Sequence, residues 1–369
     1  MKRRTLKVAI IATLVASFLP QGTASIAASS MKTYTVTMTK PHLPVAPGTG
    51  TDDYRCFLLD PKVSEDSIIQ TIQFFPQRKS YLHHAIIFRV SEGDVAEATS
   101  LDKNGTGWPC FGGSGLGGGL STFVSSPWLS SWAPGRGKDV SPAGYGTPFK
   151  KGEHFILQVH YNLLAARGGK LLADQSKIVM QVIPAKGATV KQLHVELFPA
   201  PVNLACPAGV TGPLCDRKAS LIDLASRTST TSAFESAGIN ALCGQDPFNP
   251  VSSLASTCDK VITSNFNVIA AAPHMHLLGR TLKLTLNPGK PTEKILLDVK
   301  NYNFDDQSGT VLKSPVAVKA GDTIRVQCTY DPKLRQLLPE LKGLAPRYVT
   351  WGEGSSDEMC LGVIAATPA

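Results

Sequence analysis

The sequence predicts an all-β protein made of two antiparallel β-sandwich domains. Two observations carry this prediction: the chain contains many short strand-like segments, and turn-forming residues separate them. The composition, 43% hydrophobic and 18% charged, is ordinary for a globular protein. With 369 residues the chain is long enough for two domains, each with its own core.

Strands are predicted in both halves of the chain, at residues 34–40, 54–59, 67–75, 82–90, 153–161 and 177–183, and around 190–197, 264–272, 282–286, 294–299, 322–330 and 358–365. Residues 91–146 are rich in loops. The region 202–258 breaks the pattern with helix-like pieces at 221–226 and 232–242, which indicates an insertion in the second domain. A boundary near residues 184–188 gives an N-terminal domain, 31–186, and a C-terminal domain, 187–369.

Residues 1–28 have the pattern of a secretory signal peptide. Four basic residues precede the apolar stretch 8–19, and small residues follow it. We therefore expect a secreted or periplasmic protein with no membrane anchor after cleavage. Its eight cysteines allow up to four disulfides in such an oxidising compartment.

The charge balance argues against a nucleic-acid partner. Without residues 1–28 the chain has 33 Lys and Arg against 28 Asp and Glu, a net charge of +5 rather than +9. No dense basic run remains, whereas nucleic-acid binding proteins need one. A small-molecule partner and a monomeric chain are the expectation.

Six of the eight histidines fall in three strand-like contexts. His274 and His276 lie two residues apart, so in a strand they project to one face while Met275 projects to the other. Two converging imidazoles are half of a metal site, although a packed histidine pair has the same spacing. His83 and His84 are adjacent, so they can share a ligand only at a strand end or a bulge. Otherwise one of them faces the core and the other faces solvent.

The third context is the segment 154–161. Phe155, Leu157, Val159 and Tyr161 form one apolar face, while the other face carries His154, Ile156, Gln158 and His160. His154 and His160 are about 20 Å apart along a strand and cannot bind the same ion. His160 is the better candidate ligand.

A methionine near the C-terminus adds a soft candidate ligand. Met359 precedes Cys360, and a thioether is a good ligand for Cu(I). Three histidines in one half, and two histidines with a methionine in the other, would make two metal sites of different softness. A three-histidine site could also hold zinc, and Met359 could simply pack beside a disulfide.

Taken in order, these motifs resemble the copper type II, ascorbate-dependent monooxygenases, a family that includes peptidylglycine α-hydroxylating monooxygenase and dopamine β-monooxygenase. The resemblance spans nearly the whole chain after the signal peptide. The matching segments are Tyr54-Arg55-Cys56, His83-His84, residues 157–161, residues 273–279, residues 322–328 and residues 356–360.

The resemblance implies two jelly-roll β-sandwich domains that each carry one copper ion and face a solvent cleft, with ascorbate or another one-electron reductant reducing both coppers. The electron-transfer copper would be bound by His83, His84 and His160. The copper where O₂ and a small organic substrate meet would be bound by His274, His276 and Met359. Gln158 would help to position the first site, or would be a plain hydrogen-bonding residue.

The resemblance also implies two disulfides, Cys56 with Cys110 and Cys328 with Cys360. The second would pin the strand that presents Met359. The remaining cysteines, Cys206, Cys215, Cys243 and Cys258, allow three connectivities.

Three departures from the family pattern concern the substrate. Ala272 stands where the peptide-hydroxylating member has a carboxylate-binding arginine, and Leu361 and Val363 replace its asparagine and tyrosine. A carboxyl-terminal peptide glycine is therefore not the expected substrate, and no residue is assigned to substrate binding. The expected function is copper-dependent hydroxylation of a C–H bond with O₂. The alternatives are a copper-binding protein without turnover and a zinc hydrolase, and Met359 argues against zinc.

Overall fold

Strands make up most of the regular structure in the computed structural model, as the all-β prediction requires. The structure describes residues 31–48, 50–117, 128–164, 166 and 169–369, and Met31–Ala369 form one compact unit. The predicted signal peptide lies outside the described residues. Within them, no helix is long and apolar enough to cross a membrane.

The first ten strands are β1 (Lys32–Thr37), β2 (Asp52–Leu59), β3 (Ser67–Phe75), β4 (Leu82–Val90), β5 (Trp108–Pro109), β6 (Trp128–Trp132), β7 (Asp139–Val140), β8 (Tyr145–Phe149), β9 (His154–Asn162) and β10 (Lys177–Pro184). The next eleven are β11 (Lys191–Gln192), β12 (His194–Pro199), β13 (Asn203–Leu204), β14 (Ala255–Val261), β15 (Phe266–Met275), β16 (Gly279–Leu286), β17 (Lys294–Val299), β18 (Thr310–Val318), β19 (Thr323–Tyr330), β20 (Val349–Thr350) and β21 (Cys360–Pro368).

Short helices interrupt the strands. The α-helices are α1 (Val95–Leu101), α2 (Arg217–Arg227), α3 (Thr230–Leu242) and α4 (Leu334–Leu337), and the 3₁₀ turns are Glu92–Asp94, Lys103–Gly105 and Pro213–Cys215. Helices α2 and α3 lie in the predicted insertion and contain both of its helix-like pieces. The Asp216 and Ser229 side chains cap their first turns by accepting a backbone N–H.

Four larger sheets contain most of the strands, and β13 pairs with β20 separately. The two in the first half have the strand orders β1-β10-β3-β8-β11, with β7 also on β3, and β5-β2-β9-β4-β6. The two in the second half have the orders β12-β21-β15-β18 and β14-β19-β16-β17. All pairings are antiparallel except β11 with β8, which joins the two halves in one sheet. The division into two domains stays a prediction.

Each pair of sheets shares one apolar cluster. In the first half this cluster includes Ile72 and Ile178 from one sheet and Ile87 and Leu157 from the other. In the second half it includes Val268 and Ile364 from one sheet, and Leu284 and Val326 from the other. Strand alternation explains this arrangement, because every second side chain points toward the partner sheet.

Four disulfides tie the described residues together, as is typical of proteins that fold in an oxidising compartment. Cys56 pairs with Cys110 and Cys328 with Cys360, which are the two pairings that the resemblance implies. In the insertion Cys206 pairs with Cys215, and Cys243 with Cys258.

Candidate metal centre

A bulge in β4 brings His83 and His84 toward one point. The pairing of β4 with β9 shifts register between Leu82 and His84, and His84 lies directly opposite His160. The Nδ1 atom of His84 is 3.1 Å from Nδ1 of His83 and 3.2 Å from Nδ1 of His160. The sequence allowed a shared site only at a strand end or bulge, and the structure supplies the bulge.

The neighbours of His160 fix its orientation. Oδ1 of Asp52 lies 2.8 Å from Nε2 of His160, and the Tyr54 ring stacks on the imidazole with centroids 4.2 Å apart. Burial opposes ionisation of Asp52, but hydrogen bonds from His160 and Ser355 lower its pKa to about 2. The ionised carboxylate keeps the proton of His160 on Nε2, so Nδ1 presents a lone pair to the cluster.

The donor set fits a metal ion. The three imidazoles can each place one ligand atom within 4.8 Å of the others. Burial, with repulsion from His160 next, holds the pKa of both His83 and His84 well below the usual range, so the rings are neutral, as metal binding requires. Nε2 of His83 is buried without a hydrogen-bond partner. Closely spaced, uncharged nitrogen donors of this kind are stabilised by a shared cation.

A second imidazole pair lies at the end of β15. The rings of His274 and His276 are 5.3 Å apart between centroids, while Met275 is fully buried in the core, as the alternation predicts. Both ring nitrogens of His276 are buried without a partner. Nδ1 of His274 contacts Oε1 of Gln307 at 2.6 Å, which leaves Nε2 of His274 available. Burial lowers the pKa of His274 to about 4, despite the contact with Gln307.

One carboxylate ties this pair to Met359. Glu358 is fully buried and accepts the backbone N–H groups of His276, Leu278 and Met359. Met359 is 3% exposed, belongs to the second-half core, and lines a cavity together with His274. Met359 thus lies near the pair, and the role of its thioether as a ligand stays a prediction.

The two histidine groups touch each other. The rings of His84 and His274 are 5.7 Å apart between centroids, and Phe304 stacks on His83 at 4.0 Å and lies 6.1 Å from His276. The resemblance implies sites that face a solvent cleft, whereas these five imidazoles form one continuous cluster. The Phe304 ring therefore lies between His83 and His276.

The loop of residues 353–358 joins both groups. Its Glu353 carbonyl accepts the Tyr54 hydroxyl at 2.7 Å, and the N–H of Ser355 donates to Asp52 at 3.2 Å. Its other end is Glu358, which holds the second group. Asp357, in the middle, is paired with Arg227 of the insertion at 2.8 Å. The insertion therefore supports the loop that links the two groups.

A cavity of about 540 Å³ lies beside the cluster and is lined by His84, His274, Met359 and Gln158. Nε2 of Gln158 donates to the carbonyls of Cys110 and Gly113, at 2.9 and 2.8 Å. The Gln158 amide therefore holds the loop after Cys110 in place. This contact agrees with the alternative that Gln158 is a plain hydrogen-bonding residue. A direct role for it in positioning the first metal stays a prediction.

Sequence reasoning did not assign roles to several residues that shape the cluster: Asp52, Tyr54, Phe304, Gln307, Ser355 and Glu358. Strand pairing contains a signal for two of them, because Tyr54 is opposite His160 and Asp52 is two residues earlier on β2. The others reach the cluster from distant parts of the sequence.

Helix α3 brings a buried carboxyl group to the loop beside the cavity. Glu235 is 3% exposed, and its Oε2 has no hydrogen-bond partner. A Cβ atom on Gly112, whose φ is +81°, would lie 2.5 Å from Oε1 of Glu235, so glycine is required there. Burial, followed by repulsion from Glu353, raises the pKa of Glu235 to about 9. This carboxyl group is uncharged at neutral pH.

Glu235→Gln is expected to stabilise the protein increasingly as the pH rises. The pKa of Glu235 is raised from 4.5 to about 9 in the folded state. The stability contributed by the protonated carboxyl group is therefore fully present below pH 4.5, and it is lost as the pH rises toward 9. Glutamine has no charge to bury, and the gain at pH 9 is on the order of 1 kcal/mol or more. Urea unfolding at pH 5, 7 and 9 measures it, with exposed Glu340→Gln as control. A gain that does not change with pH would contradict the prediction.

Comparison with known proteins finds similarity in the second half of the chain. Residues 245–365 match the family described as copper type II ascorbate-dependent monooxygenase, C-terminal domain. MOXD1 homolog 1 from Drosophila melanogaster is 27% identical over 128 residues, which are 34% of this chain and 17% of that protein. The chain thus matches only a small part of this relative.

Similar solved structures include a Paenibacillus xanthan lyase, 10% identical, with coverage of 87% of this chain and 23% of that one and a TM-score of 0.18. A fucolectin from striped bass (Morone saxatilis) serum is 8% identical, with coverage of 87% and 84% and a TM-score of 0.17. Scores this low support no argument about the fold. Residues 245–365, which include His274, His276 and Met359, match the C-terminal domain of the copper type II ascorbate-dependent monooxygenase family, and this match confirms the resemblance predicted from the motifs for that part of the chain.

Proposed function

We propose that this chain is a secreted or periplasmic copper monooxygenase that hydroxylates a C–H bond of a small organic substrate. The observation that carries the proposal is the imidazole cluster beside a cavity. Two of its histidines, His274 and His276, lie in the segment that matches the family. One atom of O₂ enters the C–H bond, and the other leaves as water after taking up two protons and two electrons, the electrons being supplied by a reductant such as ascorbate. The paired sheets would form two jelly-roll sandwiches, residues 31–186 and 187–369.

The residues divide into two ligand sets under this proposal. His83, His84 and His160 would hold one copper, and His274, His276 and Met359 the other. Bound copper supplies one-electron redox chemistry toward O₂, and the thioether of Met359 favours Cu(I). The proposal thus gives the two coppers different ligands, one set all nitrogen and one set containing sulfur.

The chain's own groups prepare these ligands. Asp52 holds the proton on Nε2 of His160, and Gln307 holds the proton on Nδ1 of His274, so one lone pair of each ring is free. Burial of His83, His84 and His276 keeps their rings neutral and excludes water. The cavity would place a substrate next to His274 and Met359.

Metal analysis and oxygen uptake test the proposal. The purified chain is expected to bind two copper ions, and His83→Ala is expected to bind one. His154→Ala is the matched control, because His154 contacts Gly152 and Asp60 instead of the cluster. With ascorbate, oxygen uptake is expected to depend on an organic substrate. One ion per chain, or zinc after loading with copper, would contradict two copper sites.

A copper-binding protein without turnover is distinguished by the same assay. Such a protein would bind both coppers and be reduced by ascorbate. It would then fail to consume O₂ with every member of a broad panel of C–H substrates.

A further inference from the structure

The wall of the cavity that leads to His274 is made of small apolar side chains. On β15 the residues Ala270, Ala272 and His274 alternate onto one face, while Ala271 and Met275 point into the second-half core. Ala270, Ala272 and His274 all line the cavity. Gly309 packs against Ala272 so closely that a Cβ atom there would lie 3.1 Å from that of Ala272. Because alanine side chains are short, Ala270 and Ala272 leave room for the cavity next to His274.

Strand β21 extends this wall. Val363 lies opposite Ala272, and Leu361 lies opposite His274. Both side chains line the cavity. The neighbours of His274 on these two strands are thus aliphatic, while Gln307, which contacts Nδ1 of His274, adds a polar group to the lining.

The opposite wall comes from the first half of the chain and is also apolar. On β4 the residues His84, Ile86 and Phe88 share one face and line the cavity, while Ile87 points into the first-half core. Strand β6 adds the aromatic ring of Trp128, which packs near Phe88 with ring centroids 6.1 Å apart. A molecule in the cavity would contact aliphatic groups on one side and aromatic groups on the other.

The charged side chains among the described lining residues are already paired or lie at the mouth. Arg136 donates to Asp139 at 2.9 Å and to the Ser131 hydroxyl at 2.9 Å. Asp139 also accepts the Ser130 hydroxyl at 2.6 Å. Lys138 is exposed and lies at the rim. These groups leave no buried, unpaired cation that a carboxylate could bind.

Two further ionisable side chains line the cavity. His194 is exposed at the rim and lies 3.6 Å from Glu196. Glu353 is 7% exposed, and burial, with repulsion from Asp357, raises the pKa of its carboxyl group to about 8. Among the described lining residues, the Glu353 carboxyl group is therefore mainly uncharged at neutral pH, and Asp139 is paired with Arg136.

We propose that this cavity binds an uncharged, largely apolar organic molecule, and this proposal rests on the proposed function for its chemistry. Transfer of an unpaired charge into such a site is unfavourable, whereas burial of apolar area is favourable. The volume of about 540 Å³ is within the range of small-molecule sites. The aliphatic wall around His274 would hold the reacting C–H bond next to that imidazole.

Binding of three probes with one skeleton tests this proposal. The probes are 4-methylphenol, 4-methylbenzoate and 4-methylbenzylamine, which are uncharged, anionic and cationic at pH 7. Calorimetry on the full chain without reductant, metal-free and copper-loaded, measures their affinities. The uncharged probe is expected to bind at least 10-fold more tightly than either charged one. No turnover is involved, so failure here is separate from failure of the proposed function.

Substitutions in the wall locate the binding. Ala272→Phe fills the space beside His274 and is expected to weaken binding of 4-methylphenol at least 10-fold, and the smaller Ala270→Leu provides a second variant. Ala317→Phe is the matched control, because Ala317 is exposed on β18 away from the cavity. Tightest binding of the amine, tightest binding of the benzoate, equal affinities for Ala272→Phe and the control, or no binding of any probe would each overturn the proposal.

Discussion

Met359→Ala is expected to lower the copper content from two ions to one per chain and to abolish substrate hydroxylation. The variant removes the one sulfur donor proposed for the second set, while the three histidines of the first set stay in place. Mutation of a residue that only hydrogen-bonds to a metal ligand typically lowers metal affinity about 10- to 100-fold. Loss of a ligand itself is therefore expected to lower copper affinity about 100-fold or more. Metal analysis and EPR of the oxidised protein measure the remaining copper.

Met275→Leu is the matched control for this experiment. Met275 is fully buried, lies between the two histidines in sequence and points into the core. Leucine conserves its volume, so the variant is expected to keep both coppers and to lose less than about 1.5 kcal/mol of unfolding free energy. If Met275→Leu loses a copper and Met359→Ala keeps both, the proposed ligand set is wrong.

Arg227→Ala is expected to lower the free energy of unfolding by about 3–5 kcal/mol, because it leaves a buried carboxylate unpaired. The side chains of Arg227 and Asp357 are 5% and 4% exposed, and two guanidinium nitrogens reach the carboxylate, at 2.8 and 3.3 Å. Arg227 also donates to Asp223 at 2.7 Å. Urea unfolding of the metal-free chain, read as a shift in midpoint, measures the loss.

Arg325→Ala provides the comparison. Arg325 and Asp259 form a slightly shorter pair, 2.6 Å, but their side chains are 33% and 43% exposed. Water screens such a pair, so its loss is expected to cost less than about 1 kcal/mol. Asp357 is two residues from Met359, so Arg227→Ala is also expected to weaken copper binding at the second set. Equal, small losses for both arginines would contradict a structural role for the insertion.

The sequence predicted the local features of the candidate site well. The alternation in 154–161 assigns Phe155 and Leu157 to the core and His160 to the other face, and the structure shows this arrangement. The spacing of His274 and His276 places Met275 in the core for the same reason. These features depend on a period of two residues, which any β-strand imposes on its side chains.

The contacts around the histidines were not predictable in this way. Ser355 donates to Asp52 although 303 residues separate them, and Tyr54 donates to Glu353 across 299 residues. No spacing rule relates positions so far apart, because their distance depends on how the sheets pack. The contact between His84 and His274 is of the same kind.

By itself, the sequence determined that the chain is all-β, that helices occupy the insertion, and which histidines and which methionine are candidate ligands. These conclusions follow from local periodicity and from the chemistry of single side chains. Only the tertiary structure decided that four buried imidazoles and the half-buried His274 meet in one cluster, that Asp52, Gln307 and Glu358 orient it, and that an apolar cavity opens beside it. The physical reason is that burial and hydrogen bonding between distant segments arise only when the sheets have packed.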